Sequence, residues 1–199
     1  MKRFFVTAAL SLAVFAASAE LITFKTTMAP ETPTATGSGS ATLIYDSVAN
    51  DLQFDFSWSG LSAPTTVAHI HCCIPSPGIS PLTPAFGGSP TVGVAVTPGT
   101  LPGFPAGVTS GTYQAVVDLD LASSFTSAFV TTFGGGTLAG ARDALLAGMS
   151  IGTAYLNIHT TANPGGEIRG FLMRVPEPGS LALAALALGI AGITSRRRA

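Results

Sequence analysis

Apolar and polar residues alternate strictly over one stretch of the chain. Leu52, Phe54, Phe56 and Trp58 alternate with Gln53, Asp55 and Ser57. This period of two is typical of a β-strand with one buried face. A second apolar run from Ala41 to Tyr45 is separated from it by a turn-rich connection that includes Asn50-Asp51, which predicts a hairpin.

Similar short patterns recur along the chain, with glycine and proline between them. Further strands are predicted at Leu21–Thr26, Thr66–His71, Thr91–Val96, Gly111–Leu119, Thr153–His159 and Glu167–Arg174. Leu138 to Met149 has apolar residues at helical spacing, and so do Phe125, Phe129 and Phe133. Many short strands and one or two short helices predict a mainly β fold, an antiparallel β-sandwich of the immunoglobulin-like or Cu,Zn superoxide dismutase-like kind.

The sequence patterns at the two ends of the chain predict export signals. Residues 1–19 combine a basic start, an apolar run and an Ala17-Ser18-Ala19 cleavage site. This pattern predicts a secretory signal peptide in the form of an N-terminal helix. Residues 175–199 contain Pro176-Glu177-Pro178, an apolar stretch that predicts a hydrophobic transmembrane helix, and Arg196-Arg197-Arg198. The arginines place the last residues on the cytoplasmic side. Signal peptidase is the partner expected at the first end, and the membrane at the second.

The remaining residues, 20–174, suit a single domain. Acidic residues outnumber basic ones in this range, and no basic patch with interleaved aromatic side chains is present. Nucleic acid is therefore not an expected partner.

All three histidines fall in two of the predicted strands. His69 and His71 alternate on one, so their side chains share a face, and His159 lies on another. Three imidazoles form a ligand set used for zinc or copper, and Cys73 could add a soft fourth ligand. The alternative is that these histidines only form hydrogen bonds with backbone carbonyls. Glu167 is a possible carboxylate partner to orient the ligands.

Cys72 and Cys73 are the only cysteines and are adjacent. In an exported chain, three outcomes are open: a vicinal disulfide, a metal thiolate, or links to another molecule. The vicinal disulfide is favoured. Its geometry is tight, because consecutive Cα atoms are closer than the usual disulfide span.

Catalytic residues are not evident. No G-x-S-x-G motif occurs and no acid–base carboxylate pair can be nominated. Glu167 and Arg169 are two apart on a predicted strand, so we expect them to be same-face neighbours in a salt-bridged strand that follows the turn Asn163–Gly166. The sequence therefore predicts a protein that is not an enzyme.

The C-terminal segment resembles the PEP-CTERM sorting signal of Gram-negative bacteria, on the order of Pro176-Glu177-Pro178, apolar helix and arginine cluster. The resemblance implies an exosortase as a processing partner. It also implies a membrane-anchored intermediate and a final place on the cell surface or in the extracellular matrix.

The histidine segments resemble the CHRD domain, first described in chordin. The matching residues are Ala68, His69, His71, Asn157, His159, Thr160, Asn163, Pro164, Gly166, Glu167, Arg169 and Gly170. Cys72-Cys73 departs from the family pattern, which has a small glycine-containing loop there. The resemblance covers about residues 21–173 and implies a β-sandwich module without an established catalytic activity.

Two functions follow as expectations. The first is a non-enzymatic surface or matrix protein that engages exopolysaccharide or envelope proteins. The second is a copper- or zinc-binding or redox protein that uses the three histidines. The His-x-His strand is also similar to the copper strand of Cu/Zn superoxide dismutase. That enzyme's complete site needs more histidines than this chain has, which rules out full dismutase chemistry.

Overall fold

Eight strands, two α-helices and one 3-10 helix (Ala122–Ser124) make up the computed structural model, which describes residues 20–74 and 92–176. The strands are β1 (Leu21–Pro30), β2 (Ser38–Asp46), β3 (Asp51–Ser59), β4 (Thr65–His71), β5 (Val94–Val96), β6 (Gly111–Asp118), β7 (Ile151–Thr160) and β8 (Ile168–Arg174). Helices α1 (Ser127–Thr132) and α2 (Leu138–Ser150) lie between β6 and β7. Within these residues, no helix is both long enough and apolar enough to cross a membrane.

The strands form one antiparallel sheet in the order β5-β4-β7-β8-β1-β2-β3-β6. The predicted mainly β fold with one or two short helices is confirmed. The two halves that a sandwich would separate are joined here by β8 and β1, which pair at Phe24↔Arg174 and again at Pro30↔Ile168. Between these two pairing points, strands β1 and β8 approach each other closely. A Cβ atom at Gly170 would collide with the Thr27 backbone oxygen. The sheet curls, so strands from both halves contribute to one core.

The alternation in β3 has the predicted effect. Leu52, Phe54, Phe56 and Trp58 are buried, and the residues between them are exposed. Helix α2 matches its predicted range and buries Ala141, Leu145 and Met149 against the sheet. Around α1, Phe125 and Phe129 are buried and Phe133 is exposed. The predicted signal peptide and the predicted transmembrane helix lie outside the described residues, as do Thr91, Glu177, Pro178 and the arginine cluster.

Strand β7 is buried on both faces from Gly152 to Thr160. Ala154, Leu156 and Ile158 belong to the hydrophobic core. Tyr155, Asn157 and His159 alternate with them and point to the opposite face, where they are also buried. We call this second side the polar face of the sheet.

Candidate metal centre

The polar face brings the three histidines together. His69 and His71 extend from β4, and His159 extends from the neighbouring strand β7. The ring centroids are 5.2 Å apart for His69 and His159, and 5.9 Å apart for His71 and His159. One nitrogen of each ring lies within 4.8 Å of the others. We refer to His69, His71 and His159 as the histidine group.

Each histidine ring is held by one backbone carbonyl. His69 Nε2 donates to Gly99 O at 2.8 Å, and His71 Nδ1 donates to Val92 O at 2.8 Å. His159 Nδ1 donates to Pro164 O at 2.9 Å. A carbonyl can only accept, so each of these nitrogens carries the proton of its neutral ring. The tautomers leave lone pairs on His69 Nδ1, His71 Nε2 and His159 Nε2.

Two of these nitrogens face each other, and the third, in the neighbouring ring, is buried. His69 Nδ1 and His159 Nε2 are 3.3 Å apart, with no proton available to lie between them when both rings are neutral. His71 Nε2 is buried and has no hydrogen-bond partner. Three convergent acceptors without a donor are unfavourable by themselves. A cation bound between them would satisfy all three.

Burial keeps the histidine group neutral. It lowers the pKa of His69 and of His159, against the raising effect of their carbonyl hydrogen bonds. For His71, burial lowers the pKa to about 4. At neutral pH the rings are therefore in the unprotonated form that binds metals.

Aromatic and charged side chains surround the histidine group on the same face. Tyr155 stacks on His71 with the ring planes 4° from parallel and the centroids 4.9 Å apart. The Arg169 guanidinium lies over the rings of Tyr155 and Phe171. Its carboxylate partner is Glu31, at 3.8 Å. Burial raises the pKa of Glu31 to about 7, and the charge of Arg169 opposes that rise.

Glu167 has a different place from the one expected. Strand β8 begins at Ile168, so Glu167 precedes the strand, and its carboxylate accepts hydrogen bonds in place of the expected salt bridge to another strand. Its Oε2 accepts from Ser62 Oγ, Thr160 Oγ1 and Asn163 Nδ2, and its Oε1 accepts from the backbone N–H groups of Thr36 and Ser62. Burial would raise the pKa of Glu167, but these hydrogen bonds outweigh it and lower the pKa to about 2. We call this set the Glu167 cluster.

Two known family models match this chain. The CHRD domain model matches residues 18–172, which include the histidine group and the Glu167 cluster. The chain belongs to the CHRD domain family. The PEP-CTERM protein-sorting motif matches residues 174–198. Neither a curated protein nor a solved structure matches the chain.

The two matches together describe an exported protein that an exosortase processes and that reaches the cell surface after a membrane-anchored stage. The CHRD domain is the part that would act outside the cell. The residues that carried the resemblance lie in β4, in β7, in the turn before β8 and at the start of β8, and they include the histidine group and part of the Glu167 cluster.

Cys73 lies apart from the histidine group in this CHRD domain. Strand β4 ends at His71, so the alternation that would have aligned Cys73 with His69 and His71 does not continue. The sulfurs of Cys72 and Cys73 are bonded to each other and pack against Gly148 of α2. The structure therefore does not bring Cys73 to the histidine group, and it contains the Cys72–Cys73 vicinal disulfide.

Sequence reasoning missed Glu31 and Tyr155. Glu31 follows the end of β1, far along the chain from β4 and β7, and no spacing connects it to them. Tyr155 could have been found, because it alternates with Asn157 and His159 on a predicted strand and so shares their face. The carbonyl partners of the histidines leave no signal in side-chain patterns.

Proposed function

We propose that the CHRD domain of this surface protein is a metal-binding module for zinc or copper. The ligands are His69 Nδ1, His71 Nε2 and His159 Nε2. The observation that supports this most strongly is the convergence of three lone pairs whose other ring nitrogens are already engaged by backbone carbonyls. Neutral imidazoles suit both zinc and copper.

The carbonyl bonds weigh against the alternative reading of these histidines. If the histidines served only to form hydrogen bonds with backbone carbonyls, each ring would need one partner. Its second nitrogen could then face solvent. Instead His71 Nε2 is buried without a partner, and His69 Nδ1 faces His159 Nε2. Ligating histidines commonly donate their second N–H to a carbonyl or carboxylate, which orients the ring. All three have such a carbonyl.

We propose a binding or structural role rather than an enzymatic one. The rings of His69 and His159 are buried, and each of the three histidines is held by a backbone carbonyl from a connecting segment. Structural metal sites are closed in this way. The Cys72–Cys73 disulfide belongs to the same proposal as a feature that fixes the chain beyond β4 and does not contribute a ligand.

Metal analysis tests the function directly. The secreted domain, residues 20–174, purified from the periplasm of an expression host, should carry one zinc or copper ion per chain. His159→Ala should weaken metal binding by at least about tenfold, since it removes one of three ligands. Asn50→Ala, in the β2–β3 turn, is the control and should bind as the wild type does. A wild-type protein without stoichiometric metal after incubation with either ion would contradict the proposal.

The finer details of export are also proposals. We infer a Gram-negative host, removal of residues 1–19 by signal peptidase, and cleavage of the tail near Pro176-Glu177-Pro178. The released domain would then associate with exopolysaccharide or envelope proteins. Mass spectrometry of protein recovered from the cell-surface fraction should find a chain that lacks both ends. Recovery of the arginine cluster on surface-located protein would refute tail cleavage.

A further inference from the structure

We propose that Asn157 Oδ1 is the fourth donor of the metal centre, so that the site is a closed set of three nitrogens and one oxygen. This inference rests on the proposed metal-binding function and deepens it. It names a ligand outside the residue types usually considered for such a site, and it narrows the class of metal that the site accepts.

Asn157 is a neighbour of the histidine group on the sheet. Its direct cross-strand neighbour on β4 is His69, and directly opposed residues of an antiparallel pair share a face. On β7 it is two residues before His159 and two after Tyr155, which opposes and stacks on His71. The side chain of Asn157 therefore has the histidine group on its own face of the sheet.

The orientation of the Asn157 amide follows from its hydrogen bonds. Nδ2 donates to Glu31 Oε1 and to Ile168 O, and both of these are acceptors. The nitrogen must be on that side, because the Ile168 carbonyl can only accept and would have no donor if the oxygen were there. Ile168 begins β8, and Glu31 follows β1, so both lie on the side of β7 away from β4. Asn157 Oδ1 therefore lies on the side of the amide nearer to β4 and the histidines.

Asn157 Oδ1 has no partner of its own. The residue is 1% exposed, and its Oδ1 is one of three buried side-chain polar atoms without a hydrogen bond in the described part of the chain. Another of the three is His71 Nε2, on the same face. Buried polar atoms are almost always satisfied, so two unpartnered acceptors on one face require an explanation. One cation bound by both atoms provides it.

The oxygen also affects which metal fits. Soft ligands such as thiolates select monovalent copper, whereas an oxygen donor beside imidazoles suits a divalent ion. With Cys73 turned away toward α2, the donor set is three imidazoles and one amide oxygen. We therefore expect Zn²⁺ or Cu²⁺ rather than Cu⁺. We also expect no free position for an external ligand.

Azide binding to the cobalt-loaded domain tests the closed set. Co²⁺ gives visible absorption bands that report its ligands and can replace Zn²⁺ in the wild-type domain. We expect azide to change the wild-type spectrum little. In Asn157→Ala the fourth position is open, and azide should change the spectrum at concentrations at least tenfold lower. This is a gain of binding, which mere damage to the fold would not produce.

Two further variants complete the test. Asn157→Asp, made together with Glu31→Gln so that its second oxygen meets an amide donor instead of a carboxylate, keeps an oxygen ligand and should restore the resistance to azide. Asn50→Ala removes an amide from the β2–β3 turn and should behave as the wild type does. Should Asn157→Ala not fold, this double variant and the wild type still report on the site. In that case an aspartate variant that takes up azide readily would overturn the proposal.

The two possible failures are distinct. If the wild-type protein binds cobalt and takes up azide as readily as Asn157→Ala does, Asn157 is not a donor, and the three-histidine function stands. If the wild-type protein binds no cobalt, zinc or copper, the proposed function itself fails and takes this inference with it.

Discussion

Two buried polar clusters on this domain are built from the same family motif, and they differ in how their hydrogen bonds are completed. In the Glu167 cluster, acceptor and donors match: each carboxylate oxygen receives hydrogen bonds from the protein itself. In the histidine group, three acceptors meet without a donor. In the first cluster, donors of the protein itself satisfy both carboxylate oxygens of Glu167. For the second, we propose that a metal ion from outside the chain completes the contacts. Burial alone therefore does not separate a structural cluster from a binding site, whereas the balance of donors and acceptors does.

Removal of the Glu167 carboxylate should have the largest effect. Glu167→Ala leaves the donors of Thr36, Ser62, Thr160 and Asn163 without their acceptor, and each unsatisfied buried group costs ~1–3 kcal/mol. We expect the free energy of unfolding to fall by at least about 3 kcal/mol in denaturant titrations, with or without metal. Glu20→Ala, which removes an exposed ion pair with Arg174, should cost less than about 1 kcal/mol. Equal losses in the two variants would contradict the structural role of the cluster.

Metal should stabilise the domain through a site that needs the histidine group. At free zinc of 100 times Kd, binding to the folded state adds about 2.7 kcal/mol to the free energy of unfolding. We expect this gain in thermal or denaturant unfolding of the wild type and of Glu20→Ala, and its loss in His159→Ala. Mg²⁺ is the control ion and should have no effect, since it prefers oxygen ligands. A gain that persists in His159→Ala would place the metal elsewhere.

A larger side chain beside the disulfide should lower the stability of the domain without changing its metal content. A Cβ at Gly148 would lie 2.5 Å from Cys72 Sγ and 2.8 Å from Cys73 Sγ. Gly148→Ala should therefore destabilise the oxidised protein by about 2 kcal/mol. The cost should shrink when both cysteines are also replaced by alanine. Since neither sulfur is a ligand, the metal content should remain one ion per chain. A loss of metal in Gly148→Ala would show that the histidine group depends on this contact.

The pH dependence of stability should report on Glu167. Its pKa of about 2 in the folded protein is below the ordinary value of 4.5. The folded state then binds fewer protons than the unfolded state between these values. The stability from Glu167 is present above pH 4.5 and is lost as the pH falls toward 2, by about 1.4 kcal/mol per pH unit at most. In metal-free protein, Glu167→Gln should lack this part of the acid loss. Parallel pH profiles for the two proteins would contradict the assignment.

The smallest effect is expected for Cys73. Cys73→Ser should leave metal stoichiometry and affinity unchanged, because its sulfur packs against Gly148 rather than joining the histidines. Equilibrium dialysis against zinc compares the two proteins. A clear drop in affinity would restore Cys73 as a ligand.

The sequence predicts the strands well because their burial follows simple rules. Leu52 to Trp58 alternate, and each apolar residue is buried as expected. Period two also predicted that His69 and His71 share a face. The same rule misled for Cys73, since β4 ends at His71, and for Glu167, which lies just outside β8. Contacts between distant segments, such as Glu31 with Asn157, depend on the path of the whole sheet and have no local pattern.

The three carbonyls that hold the histidine rings belong to the backbone of Val92, Gly99 and Pro164. The chemistry of the site therefore depends on where the chain runs and little on which side chains it carries there. Most substitutions at position 92 would keep the carbonyl in place, although Gly99, with a φ of +83°, tolerates few. An insertion or deletion between residues 92 and 99 would instead shift two carbonyls at once. Comparisons among relatives should therefore count the spacing of this segment as carefully as the histidines themselves.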